Sequence, residues 1–252
     1  MGPTRHPAVL VVATLMVSAT GATEPDFAGQ RRQMVAEVAA MAHATAAETG
    51  RQRLSDPVLR AMETVQRHRF VPDAEVGSAY RNRPLSIGDG QTISQPYIVA
   101  LSAELIDPKP GDAVLEVGTG SGYQAAVLAE LVDRVYSIEI IESLGRQAAD
   151  RLAALGYRNV EVRIGDGYQG WAEKAPFDAI VVTAAAPHVP EPLLAQLKPG
   201  GRMVIPVGRR DQGQEMLLVV KGADGRLQTR RVIPVRFVPL TGEGVEDRPS
   251  RR

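Results

Sequence analysis

Three glycines and two acids in the middle of the chain have the residue types and the spacing to hold a ligand. Gly118, Gly120 and Gly122 alternate through Val114-Leu-Glu-Val-Gly-Thr-Gly-Ser-Gly-Tyr123, with Glu116 two residues before the first glycine. A second acid, Glu139, follows about twenty residues downstream, at the end of Arg134-Val-Tyr-Ser-Ile-Glu139. Glycines at a strand-to-helix turn let a ligand reach the backbone with no Cβ in the way, and in an open parallel sheet such turns lie at the edge where ligands bind. The spacing is not the dinucleotide fingerprint G-x-G-x-x-G, because Tyr123 stands where its last glycine would be. That disfavours a nicotinamide oxidoreductase. An acid at position 116 would repel a phosphate and attract an ammonium group, directly or through water, while Glu139 can accept both ribose hydroxyl protons. Together these features suit S-adenosylmethionine. Asp166, in Gly165-Asp-Gly167, is a third acid at the same edge; its carboxylate can accept from an adenine amino group while the Gly167 amide donates to a ring nitrogen. Taken singly, the glycines also read as tight packing and Gly165-Asp-Gly167 as a simple turn.

Other chemistries find little footing. The chain has no cysteine, which removes disulfides, thiol nucleophiles and thiolate metal sites. Its four histidines (His6, His43, His68, His188) lack metal-ligand spacing and read as surface or capping residues, so no metal is expected. The nucleophile-elbow pattern is absent around both Ser94 and Ser121. Lys plus Arg equals Asp plus Glu at 29 each, which leaves no nucleic-acid footprint.

The elements that must position these residues follow from hydrophobic period. With 252 residues, 44% hydrophobic, the chain can bury one α/β core with a modest extension. Strands are predicted at Val114–Val117, Arg134–Glu139, Val160–Ile164 and Phe177–Thr183, alternating with helices over Gln124–Leu131 and Glu142–Leu155. The runs at 114–117 and 179–182 are apolar on both faces, as a parallel sheet covered by helices requires. A fifth strand ends at Val207, and Gln214–Lys221 and Leu227–Pro239 form an antiparallel hairpin at Asp224-Gly225. The fold class is therefore α/β and Rossmann-like, a mostly parallel sheet closed by a C-terminal hairpin.

Ahead of this core (residues 83–241), residues 27–82 read as a helical cover. A helix runs from Phe27 to Glu48, with Met34, Val38 and Met41 as its apolar stripe, and Gly50 ends it. A second starts at Ser55-Asp56-Pro57 and buries Val58, Leu59, Met62 and Val65, the basic residues forming a solvated face. Residues 83–97, dense in glycine, proline, hydroxyls and amides, show no period; they read as a substrate loop or an ordinary connection, leading into a helix over 98–105. Residues 1–22 resemble a secretory signal peptide, with an apolar run after Arg5 too short to span a bilayer. Export and a cytosolic location both stay open, since S-adenosylmethionine is made in the cytosol. Residues 242–252 read as a flexible tail.

Five segments, in order, resemble the protein-L-isoaspartate O-methyltransferase family: Pro84-Leu-Ser-Ile-Gly-Asp-Gly-Gln-Thr-Ile-Ser-Gln-Pro-Tyr97, Val114–Tyr123, Gly165-Asp-Gly167, Phe177-Asp-Ala-Ile-Val-Val-Thr-Ala-Ala185 and Arg236-Phe-Val-Pro-Leu240. The similarity covers roughly residues 55–241. It implies a class I methyltransferase that esterifies the free α-carboxylate of L-isoaspartyl residues in damaged proteins and peptides, with S-adenosylmethionine as cofactor. The ester then closes without enzyme to a succinimide that can reopen to aspartate. By position, the resemblance makes Ser94 the active-site serine and puts Thr92, Ile93 and Ser94 beside the transferred methyl. Glu139, Asp166 and Gly167 would hold the nucleoside, Gly118, Gly120 and Gly122 the methionine end, and Thr241 would close over the site. It also implies a monomer acting on isoaspartyl proteins without nucleic acid or membrane, and a cytoplasmic location. The signal-like segment, the lengthened region 39–53, Ser86 and Asp89 depart from the family pattern. A methyltransferase for a small-molecule carboxylate, or a nonenzymatic binding protein on the same fold, are the competing readings.

Overall fold

Short β-branched runs build the centre of the molecule. The computed structural model describes residues 2, 26–209, 211–243 and 245; the signal-like segment lies almost wholly outside them. After a hairpin of β1 (Leu85–Gly88) and β2 (Gln91–Ile93), seven strands form one sheet: β3 (Ala113–Val117), β4 (Arg134–Glu139), β5 (Val160–Ile164), β6 (Phe177–Val182), β7 (Leu197–Arg209), β8 (Gly213–Lys221) and β9 (Leu227–Val235). Their order is β5-β4-β3-β6-β7-β8-β9, parallel from β5 to β7, with β8 antiparallel to both neighbours. Side chains of one strand alternate between two packed faces, as a period of two demands. Val114, Ala179 and Val181 join one apolar cluster, Leu115, Val117, Ile180 and Val182 the other.

The helical cover differs in detail from the prediction. The first helix divides into α1 (Phe27–Ala44) and α2 (Ala46–Thr49), because the Thr45 hydroxyl turns back to the Met41 carbonyl (3.0 Å) and bonds the Tyr97 hydroxyl, loosening the helix at that point. Gly50 ends α2 in the left-handed region, as expected. Next comes α3 (Asp56–Thr64), burying Val58, Ala61 and Met62. Arg67 breaks the expectation of a solvated basic face: it is fully buried, its Nε donates to the Ala79 carbonyl (2.8 Å) and its guanidinium lies 4.8 Å from the Tyr123 ring centroid. Burial lowers its pKa to about 10. His68 stacks on Phe27 and bonds Tyr80 (2.7 Å), so it serves packing.

Residues 83–97 hold structure that the sequence reading passed over. The β1–β2 hairpin turns through Asp89 and Gly90, both at positive φ (51° and 70°), the two-residue geometry that Asp-Gly favours. The helix after it, α4 (Pro96–Leu105), starts two residues earlier than predicted, with proline at its first position. Then come α5 (Tyr123–Ala129), α6 (Glu142–Ala154) and α7 (Glu191–Gln196), the last unforeseen by the sequence. The hairpin strand β9 stops at Val235, so residues 236–241 are free to cross the sheet edge.

Candidate active site

Strand order reverses between β3 and β6, and the crevice beyond their carboxyl ends is where such a sheet binds ligands. The glycine turn after β3 forms one wall. Gly118 (φ 98°) and Gly120 (φ 54°) both line the cleft. A Cβ on Gly118 would come within 2.3 Å of Thr183 Oγ1, and one on Gly120 within 3.3 Å of Ile87 in the hairpin. Opposite stands Thr183, just past β6, whose hydroxyl lies 2.6 Å from the Gly118 carbonyl and 3.0 Å from that of Val117.

Glu139, at the end of β4, lies on the floor. Its carboxylate accepts from the Gly120 amide (2.7 Å) and the Ile141 amide (3.0 Å), one per oxygen, and each oxygen keeps a lone pair for a further donor. Around it run Gln91, Thr92, Ile138, Ile140, Ile141 and Gly167, and over it Val238–Thr241, in a cleft of about 570 Å³ that opens to solvent. The C-terminal segment is held there by the sheet edge: Ala185 donates to Val238 and Leu240 donates to Ala185, both 2.8 Å.

Two further pockets open from this cleft. A small one, about 320 Å³, lies under the glycine turn between Ser94, Thr119, Ser121 and Gln124. A broad one, about 940 Å³, opens outward between Pro84, Ser94, Gln95, Ile98 and residues 234–238. Thr92 and Thr183 line all three, and Ser94 lines the last two. The pockets therefore converge at one point, flanked by the hydroxyls of residues 92, 94 and 183.

Comparison with known proteins agrees with this geometry. The family described as protein-L-isoaspartate(D-aspartate) O-methyltransferase matches residues 43–245. The chain belongs to this family. A relative from Cupriavidus necator named protein-L-isoaspartate O-methyltransferase 1 is 59% identical over 93% of this chain and 91% of its own. One from Polaromonas sp., named protein-L-isoaspartate O-methyltransferase 2, is also 59% identical, over 83% of this chain and all of its own. Among solved structures, a protein-L-isoaspartate O-methyltransferase superposes with a TM-score of 0.74 at 30% identity, covering 84% of this chain and 66% of the other. A candidate member from Plasmodium falciparum, solved with S-adenosyl-L-homocysteine, has the same fold (TM-score 0.69, 24% identity, 86% and 99% covered). The glycine turn with Glu139 would fit S-adenosylmethionine, the ligand their spacing suggests.

The structure gathers Thr92, Ile93, Ser94, Gly118, Gly120, Glu139, Gly167 and Thr241 around the joined pockets. Two residues expected there face elsewhere, and a third stands beside the lining. Glu116 is fully buried within the sheet; Ser137 on β4 donates to it, Thr119 lies 2.6 Å from Ser137, and burial pushes its carboxyl up to about 8. A carboxyl kept largely neutral and away from the cleft cannot draw an ammonium group. Gly122 (φ 90°) faces α6, where a Cβ would meet Leu152 at 3.1 Å, so its bareness serves helix packing. Asp166 does not itself line the pockets; it precedes Gly167, and its oxygens accept one amide each, from Tyr168 (2.9 Å) and Glu243 (2.8 Å), leaving each a lone pair for a further donor, as at Glu139. Glu243 is thus tied down within the stretch expected to be a free tail, and Gly242 permits the approach, since a Cβ there would lie 2.1 Å from Asp166. The residue missed altogether is Thr183. Its signal was present: it ends the strand across the switch point from the glycine turn.

Proposed function

We propose that this chain moves the methyl group of S-adenosylmethionine to the free α-carboxylate of L-isoaspartyl residues in damaged proteins and peptides. The observation that carries the reading is the convergence of three pockets at Thr92 and Thr183. The cleft over Glu139 has the form for a nucleoside, the small pocket under the glycine turn the size for a short polar arm, and the broad one the openness for a peptide. A sulfonium bound between the first two presents its methyl toward the third. A substrate carboxylate is ionised at neutral pH, so its oxygen attacks the methyl carbon without a general base. The carbon–sulfur bond breaks, its electron pair stays on sulfur, and the products are a methyl ester and S-adenosylhomocysteine. Holding oxygen, carbon and sulfur in line is worth about 7 to 11 kcal/mol of barrier, and opposite charges that cancel favour a site with little water.

Within this reading Glu139 takes the ribose hydroxyls, Gly167 the adenine, and Ser94 orients the carboxylate by a hydroxyl hydrogen bond. Thr92 and Ile93 flank the transfer point and Thr241 closes it. Asp166 fixes the turn that presents Gly167, anchors Glu243, and has a lone pair left on each oxygen to accept from the adenine amino group. Among the described residues no helix is long and apolar enough to cross a membrane. Supply of the cofactor favours the cytosol. The decisive assay is transfer of labelled methyl to an isoaspartyl peptide beside its aspartyl twin. Label on the first alone is expected, and equal label on both, or on neither while a small carboxylic acid is methylated, would defeat the proposal.

A further inference from the structure

Four buried side-chain polar atoms lack a hydrogen-bond partner among the described residues: Arg31 Nε, Arg67 Nη1, Glu116 Oε1 and Gln124 Nε2. A buried polar atom left unpaired is costly, so each asks for an explanation. Arg31 and Arg67 belong to the helical cover, and Glu116 lies inside the sheet. Gln124 alone belongs to a side chain that lines the joined pockets. It sits in the first turn of α5, is 8% exposed, and shares the small pocket with Ser94, Thr119 and Ser121. Among the described residues, no lysine, arginine or histidine lines that pocket.

We propose that the Gln124 side-chain amide holds the α-carboxylate of the cofactor's methionyl arm. This rests on the cofactor reading above. With Glu139 fixing the ribose at the other end of the glycine turn, the amino-acid arm must run under Gly118 and Gly120 toward Gln124. The arm carries one carboxylate and one ammonium, and an amide N–H selects the carboxylate. In a pocket without cations, a neutral donor recognises that anion while leaving the sulfonium the main positive charge near the attacking oxygen. Gln124 is then a positioning residue: it sets how far the arm is drawn in, and so where sulfur and methyl stand relative to Thr92 and Thr183.

The test uses the full chain, the variants Gln124→Met and Gln124→Glu, and calorimetry with three probes: S-adenosylhomocysteine, its decarboxylated analogue, and 5′-methylthioadenosine, which lacks the amino-acid arm. Gln124→Met is expected to weaken S-adenosylhomocysteine about 10- to 100-fold, the range for a hydrogen bond to a charged group, and to leave the two carboxylate-free probes within about twofold. Gln124→Glu, nearly the same shape but without the N–H donors, is expected to weaken S-adenosylhomocysteine further and the other probes no more than before. Equal loss for all three probes would make Gln124 a structural support of the turn and overturn the assignment. So would unchanged S-adenosylhomocysteine affinity in both variants, or tighter binding in Gln124→Glu, which would mean that the residue faces the ammonium. If the unsubstituted chain bound 5′-methylthioadenosine but gained nothing from the amino-acid arm, this assignment alone would fall. Binding none of the three would sink the cofactor reading itself.

Discussion

The two halves of the cleft are built by opposite means. The cofactor half centres on one continuous stretch, β3 through Ile141, closed by Gly167 and residues 238–241, and at its heart the backbone itself is the binding surface: Gly118 and Gly120 leave room, and Glu139 reaches back to the Gly120 amide (2.7 Å). The substrate half is assembled from residues 84–98, Thr183 and residues 234–238, about 50 to more than 100 positions apart, and side chains make most of it. A surface made of backbone has no tolerance for an added atom. One made of side chains can lose a group and keep its shape, so substitutions in the two halves should differ in kind as well as in size.

The largest effect is expected at Gly118. Gly118→Ala places a Cβ 2.3 Å from Thr183 Oγ1 at a φ of 98°, and it should reduce S-adenosylhomocysteine affinity and methyl transfer at least about 100-fold, measured by calorimetry and label transfer. Near-normal activity would mean that the turn relaxes freely, and the contrast between halves would fail. Next is Glu139→Gln, expected to weaken the same ligand about 10- to 100-fold by removing a charged acceptor, with little change in peptide KM. Ser94→Ala should sharpen the comparison from the other side: turnover falls about tenfold while cofactor affinity stays within about twofold. A large loss of cofactor binding there would move Ser94 into the other half.

The smallest effect on binding concerns Glu116, in the sheet between the two. Its folded pKa of about 8 lies above the ordinary carboxylate value, so between about pH 4.5 and 8 the folded chain holds a proton that the unfolded chain has released. Stability should therefore fall as pH rises through that window and level off above it. Urea midpoints of the parent at pH 5.5 and 8 should differ in that direction. In Glu116→Gln the difference should shrink, and cofactor affinity should hold; an undiminished pH dependence would assign it to another group.

Legibility in the sequence divided along similar lines. The alternation of strands and helices was visible because strands buried on both faces are continuous apolar runs, and the glycine turn because three alternating glycines after such a run have few other uses. The hairpin at 85–93 was harder to see: its strands are four and three residues long, too short for a period, although Asp89-Gly90 carries the same turn signal as Asp224-Gly225. Glycines 118 and 122 look alike on paper and differ in what they face, Thr183 in one case and Leu152 in the other. Glu116 and Glu139 likewise differ only by where on their strands they fall, one inside the sheet and one at its edge.

What the sequence determined by itself is the order of elements, the open glycine turn after β3, and the acid at the end of β4, because these depend on residues near one another along the chain. Only the tertiary structure decided that Thr183 stands across the switch point from the glycine turn, that Glu116 and Gly122 are buried in the frame, and that residues 238–241 lie over the cleft. Those outcomes depend on which strand ends meet across the switch point and which side chains are buried when they do, and neither is written in local spacing.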